Sequence, residues 1–248
     1  MEFRQFFSKT LWPFLASAGA ASVMILAFFI PSVQDQWDRY QARQVIEQYE
    51  ALGDDFFKEK EYKMAEQAFA KAYELSEQKR LDIEVKRLNA KINIIYEDPE
   101  WGSKPPENLQ EVDFQFLLHL QKGPGQEMER AHTLTSYGIY LASLGNIKDA
   151  EDKFKDAIRL NPGEFHAYLN LGNLYDEQGE ILEAEKAYQT AIALDPKNVP
   201  AHYNLGLLFS DQGKLKEAEK ELAVAVALDP TDSDAINVHN LILKQITK

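Results

Sequence analysis

Hydrophobic and polar positions follow two different patterns along this chain, one near its start and one over most of its length. The first is an unbroken apolar run from Leu11 to Ile30, and no charged residue occurs between Lys9 and Asp35. The second is a helical pattern, in which apolar residues recur three and four positions apart among charged ones. Together they predict one long apolar helix followed by a series of shorter amphipathic helices.

The helical pattern repeats itself after 34 residues. Two segments share 14 of 26 aligned positions, LGNLYDEQGEILEAEKAYQTAIALDP at 171–196 and LGLLFSDQGKLKEAEKELAVAVALDP at 205–230. A third copy lies at 137–162 in the same register, and a weaker copy at 52–75 has Lys60 where the others have glycine. We therefore predict units at 131–164, 165–198 and 199–232, preceded by a juxtamembrane helix and a degenerate first repeat at 34–81.

Each unit reads as two helices joined by a turn. In 165–198, Tyr168, Leu171 and Tyr175 share one helical face. Gly179 then marks the end of the first helix, because glycine readily adopts the left-handed conformation of a helix C-terminus. Pro196 ends the second helix, since the residue before a proline is driven out of the α conformation.

These units resemble the tetratricopeptide repeat, a helix–turn–helix unit of the same 34-residue length. In 165–198 the residues that carry the resemblance are Tyr168, Leu171, Gly172, Tyr175, Ala184, Tyr188, Ala191 and Pro196. The resemblance implies an all-α fold, a helix–turn–helix superhelical solenoid, here preceded by one transmembrane helix. It also implies that the first helices line a concave face that binds segments of other proteins.

The resemblance further implies which residues line this partner-binding groove, because five places of each related repeat do so. Counted along this chain, they include His132, Thr135, Ile139, His166, Leu169, Asn173, Asp176, Glu177, Tyr203, Leu207 and Asp211. None is lysine or arginine, whereas chaperone-binding members of the family use basic residues there to clamp a C-terminal carboxylate. We expect an amphipathic segment bearing lysine or arginine to bind, with Tyr203 as the hot spot. The alternative interface is the convex face or residues 97–125.

The section 82–130 breaks the repeat register. We predict a helix at 81–96 that continues the second helix of the weak repeat, a loop at 97–110 and a short helix ended by Gly-Pro-Gly. The section is either a degenerate repeat or a partner-specific insertion, with Trp101 as an exposed second contact. Residues 233–248 are expected to form a capping helix in which Ile236 and Leu243 cover the last repeat and Asp232 or Ser233 is the N-cap.

The apolar run predicts a transmembrane helix over residues 11–33, after an N-terminal tail at 1–10, because about 20 apolar residues span a bilayer. The alternative, a cleavable signal peptide, needs small residues just after the run, where the chain has PSVQDQW. The small residues lie inside the run, either tolerated there or spaced to let another membrane helix pack closely: Ala16, Ala18, Ala20 and Ser22. The numbers of basic residues on the two sides of the run are equal, so they do not determine its orientation. We favour a bacterial inner membrane with the C-terminal domain outside the cytoplasm.

Composition excludes several classes of function. The formal net charge of −13 argues against binding nucleic acid, which needs a basic surface. The chain has no cysteine, which excludes disulfides and thiolate sites. We find no phosphate-binding glycine loop, zinc motif or nucleophile elbow, and two histidines at equivalent places do not make a zinc site. We therefore expect no enzyme activity, no cofactor, no metal and no small-molecule substrate.

The sequence thus favours a membrane-anchored interaction scaffold or accessory subunit of a membrane protein complex. Its partners would be other proteins, membrane-embedded or close to the membrane, because only a few residues separate Pro31 from the helix expected near Asp35 or Trp37. The alternative is a transient assembly factor or chaperone for a membrane or periplasmic complex.

We expect the apolar segment to remain in the mature protein, because no cleavage site follows Ile30. Intact-mass measurement of protein purified from its native membrane should account for residues 1–30. A mature chain that begins near Gln34 would show instead that the segment is a signal peptide.

Overall fold

The structure is a computed structural model that describes residues 31–76, 80–96 and 109–247. Within these ranges it is all-α, with eleven helices and no strand. The chain divides into two compact units, Met1–Ala90 and Lys91–Lys248. The predicted transmembrane helix at 11–33 and its small residues Ala16, Ala18, Ala20 and Ser22 lie outside the described residues, apart from 31–33. Among the helices that are described, none combines the length and the apolar composition that a membrane crossing requires.

The first unit contains the degenerate repeat as a helical pair, α1 (Pro31–Lys58) and α2 (Tyr62–Leu75). The core of this pair includes Phe69 and Ala72, with Ile46 and Phe57 packed against it. Lys60 occupies the turn and has a φ of +62°, so it adopts the left-handed conformation that glycine adopts in the other repeats. The turn of the weak copy therefore has the same backbone conformation as the turns of the clear copies, although its sequence matches theirs less well.

The third helix, α3 (Leu81–Tyr96), is not a continuation of α2 as the sequence suggested. Helix α2 ends at Leu75, because Ser76 is extended (ψ 116°) and its side chain donates a hydrogen bond to the carbonyl of Tyr73. Leu81 is 56% exposed, and the buried apolar side chains of α3 begin instead at Ile83. The pattern gave no signal for this break, because serine is compatible with both helix and cap.

The second unit contains three helical pairs in the predicted register. The pairs are α5 (Glu127–Ser143) with α6 (Ile147–Leu160), α7 (Phe165–Glu177) with α8 (Ile181–Leu194), and α9 (Val199–Asp211) with α10 (Leu215–Leu228). The first helix of the middle pair ends, as predicted, at a glycine in the left-handed conformation, Gly179 (φ +73°). A helical pair therefore occupies each of the ranges 131–164, 165–198 and 199–232, although α5 begins four residues before 131, at Glu127.

Each pair is held at a fixed spacing by one close contact. A Cβ atom added to Gly172 of α7 would lie 2.6 Å from the ring of Tyr188 on α8. The equivalent contacts join Gly138 to Phe154, Gly206 to Leu222 and, in the first unit, Gly53 to Phe69. Since real Cβ atoms cannot approach another side chain this closely, only glycine allows the two helices of a pair to meet there.

Two further helices flank the three pairs. Helix α4 (Glu111–Leu120) is the short helix predicted within 82–130, and its Phe114 ring stacks on Tyr137 of α5 at 4.9 Å between centroids. Helix α11 (Ser233–Ile246) is the predicted capping helix, and its N-cap is Asp232, whose side chain accepts from two backbone amides.

The buried face of α11 differs from the prediction. Ile242 is 1% exposed and Ala235 is fully buried, whereas Leu243 is 37% exposed and Ile236 only half-buried. The difference arises because 235, 238 and 242 share one face of the helix, and that face was not separated from its neighbours in a segment rich in isoleucine and leucine.

We expect Ala184→Leu to destabilise the second unit by about 1–3 kcal/mol, because Ala184 is fully buried between helices and a larger side chain overpacks the crossing. Thermal unfolding of the full chain tests this expectation. Ala193→Leu is the matched control, since Ala193 is exposed on the same helix. Equal midpoints for the two variants would contradict the packing described here.

Candidate functional site: the first-helix groove

The first helices of consecutive repeats lie side by side, and their side chains are linked across the boundary. Asn204 of α9 donates a hydrogen bond from its Nδ2 to Oδ1 of Asn173 on α7 at 2.8 Å. The residues predicted to line the groove lie on α5, α7 and α9, with three or more on each. We call the surface formed by these predicted residues of α5, α7 and α9 the first-helix groove.

Three of the predicted residues are buried rather than open to a ligand. Thr135 is fully buried and donates a hydrogen bond to the carbonyl of Ala131 at 3.0 Å. Leu169 is 8% exposed and belongs to the apolar core of the second unit. Thr135 and Leu169 therefore contribute to the packing beneath the groove and not to its accessible surface.

Asn173, the third buried residue, connects three helices. Its Oδ1 accepts from Asn204 of α9 and also from the Tyr188 hydroxyl of α8, the latter at 2.9 Å. Burial raises the pKa of Tyr188, with Asp176 and Glu177 adding to the effect, so the hydroxyl stays protonated and keeps donating. The polar position in the middle of the groove therefore fixes the relative placement of two adjacent repeats.

The accessible part of the groove is acidic at one end. Asp176 is half-buried, and Glu177 and Asp211 are exposed. Burial raises the pKa of the Asp176 carboxyl, and the charges of Asp211 and Glu177 raise it further. Within the described part of the chain, neither Asp176 nor Asp211 makes an ion pair. We call Asp176, Glu177 and Asp211 the acidic trio.

Apolar side chains of α9 lie on the same helix as one member of the trio. Tyr203 and Leu207 are half-buried, so each has surface left for a ligand. Burial raises the pKa of the Tyr203 hydroxyl, and the charges of Asp234 and Asp232 add to this effect. Tyr203 therefore sits within the field of further carboxylates at the start of α11.

The α5 end of the groove is different in character. Burial lowers the pKa of His132 to about 4, so this imidazole is neutral at physiological pH and supplies no positive charge. Ile139 is half-buried on the same helix. His166 of α7 is half-buried, and its Nδ1 lies 3.9 Å from Oε1 of Glu164. None of the predicted groove residues at this end is lysine or arginine, and His132 supplies no charge.

The structure brings together the acidic trio, and it links Asn173 to α9, but it leaves other predictions untouched. Trp101 lies outside the described residues. No group of three histidine or carboxylate side chains in the described ranges is arranged to hold a metal ion. Sequence reasoning missed Asn204, although asparagine recurs at 170 and 204, one repeat apart, and this repetition was the available signal.

Comparison with known proteins identifies the repeats. Models of the tetratricopeptide repeat match residues 153–186, 172–213 and 199–232. No curated protein sequence matches the chain. A tetratricopeptide repeat protein of the thermophile Thermus thermophilus, TTC0263, is 20% identical, with a TM-score of 0.51 over 80% of this chain and 98% of that one. At this identity the likeness shows the shared solenoid fold.

Two shorter solved structures are also similar. The first tetratricopeptide domain of Spaghetti (RPAP3), bound to an HSP90 peptide, is 21% identical and covers 49% of this chain and 96% of its own, with a TM-score of 0.47. The tetratricopeptide domain of Arabidopsis OM64 is 24% identical and covers 48% of this chain and 98% of its own, with a TM-score of 0.45.

We expect Asp176→Asn to raise the thermal midpoint at neutral pH. The pKa of Asp176 is higher in the folded state than in the unfolded state, so its stabilising contribution is present in acid and is lost as the pH rises through the folded value. The gain of the variant should therefore disappear in acid, where both states are protonated. Thermal unfolding across a pH series tests this, with the exposed Glu180→Gln as control. A lower midpoint at neutral pH would contradict it.

Proposed function

Residues 153–232 are tetratricopeptide repeats, and we propose that the chain is an interaction scaffold that binds segments of other proteins along the first-helix groove. Repeats of this kind present an extended surface built from equivalent positions. The observation that carries the proposal is the acidic trio at the end of a groove that also contains half-buried apolar side chains.

The charge of the groove favours a basic partner segment. Ionised Asp176 is repelled by Asp211 and Glu177, and burial removes part of the water that would offset this repulsion. A lysine or arginine of a partner would replace the repulsion with attraction and would lower the pKa of Asp176. Binding should then release a fraction of a proton at mildly acidic pH, which a buffer-dependent calorimetric enthalpy would detect.

The apolar part of the groove favours an amphipathic segment. Tyr203 and Leu207 lie four residues apart on α9, so their side chains project to one side of the helix. A partner helix with an apolar face and a basic face would bury its apolar side chains against Tyr203 and Leu207. Its basic side chains would then lie near the acidic trio. Because aromatic residues dominate binding energy at interfaces, Tyr203 is the proposed hot spot.

We further propose that residues 11–33 anchor this scaffold in a bacterial inner membrane, with the repeats outside the cytoplasm. The support is the uncharged stretch between Lys9 and Asp35. The scaffold would then serve as an accessory subunit of a membrane protein complex. Stoichiometric co-purification in mild detergent would favour this role over a transient assembly factor, which would be recovered in substoichiometric amounts. We propose no enzymatic role, since no catalytic constellation supports one.

We expect two groove variants to lose partners in a pull-down from native membranes. Tyr203→Ala removes the proposed hot spot, and the double variant Asp176→Lys/Asp211→Lys reverses the charge that attracts a basic segment. Each should reduce recovery of the main partner by about tenfold or more. Mass spectrometry of the recovered proteins provides the measurement, and circular dichroism verifies that the variants fold.

The matched control is Asp152→Lys/Glu183→Lys, which makes the same change of charge at exposed positions of the second helices. It should leave recovery unchanged. If both groove variants retain every partner while deletion of residues 97–110 releases them, the groove is not the binding site and the interface includes the segment around Trp101.

A further inference from the structure

A pocket of about 340 Å³ lies away from the first-helix groove, where the turn after α4 meets the start of α5 and the end of α6. Its apolar lining comes from Leu134, which is buried, and Leu160, which is partly exposed. Lys122, Arg130 and Arg159 add three positive charges around these side chains. Such a concentration is notable in a chain whose net charge is −13.

The two carboxylates that line the pocket already have donors within the chain. Asp156 is paired with Arg159, which lies one turn further along α6. Glu127 accepts a hydrogen bond from the backbone amide of Gly125 at 3.3 Å. The ion pair balances Arg159 against Asp156, whereas Glu127 keeps its negative charge because a backbone amide is neutral. Lys122 and Arg130 outnumber Glu127, so the pocket keeps a net positive charge.

Arg130 is the arginine of the pocket that forms no ion pair among the described residues. Every other arginine side chain that the structure describes between 40 and 247 forms an ion pair, namely Arg43, Arg80, Arg87 and Arg159. Arg130 forms none among the described residues, although it is half-buried. A partly desolvated guanidinium without an acid is a ready receptor for a carboxylate, which it binds through two parallel hydrogen bonds.

Two neighbouring side chains, Lys122 and Gln121, indicate which other groups a ligand of this pocket would have. The Lys122 ammonium lies 3.3 Å from Nδ1 of His119 and forms no ion pair among the described residues. Oε1 of Gln121 is buried and accepts no hydrogen bond from the described residues. A buried acceptor without a donor costs free energy, and a ligand N–H would offset this cost once the Gln121 amide rotates to bring Oε1 to the pocket surface.

We propose that this pocket binds a glutamate or aspartate of an acidic peptide segment. The side-chain carboxylate would pair with Arg130 and Lys122, and a backbone N–H of the peptide would donate to Gln121 Oε1. An adjacent apolar residue of the segment would cover Leu134 and Leu160. No single ion satisfies all three features, since an inorganic anion without a hydrogen atom supplies no donor to Gln121.

This site goes beyond the proposed function of the groove, because it selects the opposite charge. The acidic trio repels the segment that the pocket attracts, and the pocket repels the basic segment proposed for the groove. One chain would therefore hold two partner segments, or two parts of one partner, in a fixed order along the solenoid.

The test is a selection of random short peptides on the full chain in mild detergent, followed by fluorescence polarisation with the enriched peptides. We expect a set of enriched peptides that carry aspartate or glutamate beside an apolar residue. Arg130→Gln should weaken their binding by about tenfold or more, and glutamine in place of the acidic residue should do the same. Because the contact is ionic, binding should also weaken as salt is raised.

Arg130→Lys keeps the charge but loses the two-pronged geometry, so we expect intermediate binding. Lys122→Gln, at an exposed side chain, provides a second variant whose fold is not at risk, and it should weaken binding several-fold. Arg43→Gln removes an exposed arginine from the first unit and is the matched control. The proposal is overturned if no acidic peptide is enriched, or if the acidic peptides bind Arg130→Gln and Lys122→Gln as tightly as the unchanged chain.

Discussion

The contact between a glycine of each first helix and a large side chain of each second helix determines the rest of this structure. At Gly172 the Tyr188 ring occupies the space where any other residue would place its Cβ. The two helices therefore approach at one fixed point, and the small alanines around that point let them stay close. Because the same contact recurs at intervals of one repeat, each pair presents its first helix in the same way.

The regular spacing of the first helices determines which side chains of the groove remain accessible. The Tyr188 hydroxyl donates to Asn173 within its own pair, and Asn173 also accepts a hydrogen bond from Asn204 of the next repeat. The ring that spaces one pair thus also aligns the following one. The groove is accordingly less open than its repeat positions suggest, and ligand contact falls to the half-buried and exposed residues at its acidic end.

The sequence was sufficient to predict the helical pairs. Glycine, alanine and proline recur in it every 34 residues, and they mark the turns, the close helix contacts and the helix ends. It was insufficient for the burial of Thr135 and for the lack of an ion pair at Arg130 among the described residues, since both depend on which side chains meet across helices. Period alone also missed the break between α2 and α3, where Ser76 ends α2 by a side-chain hydrogen bond to the carbonyl of Tyr73. Residues 82–130 do not follow the 34-residue repeat, so their short helix was predicted from an apolar run that ends at Gly-Pro-Gly.

The left-handed conformation of Lys60 has a consequence for the dynamics of the first repeat. A residue with a Cβ carries a cost of about 1–2 kcal/mol in this conformation, which the glycines of the later turns avoid. The backbone amides that close this turn, such as that of Glu61 to the carbonyl of Phe56, should accordingly exchange their hydrogens faster than the amides of the equivalent turn at Gly179. Local opening of this pair should therefore be more frequent at the turn between α1 and α2 than opening of the later pairs is at their glycine turns.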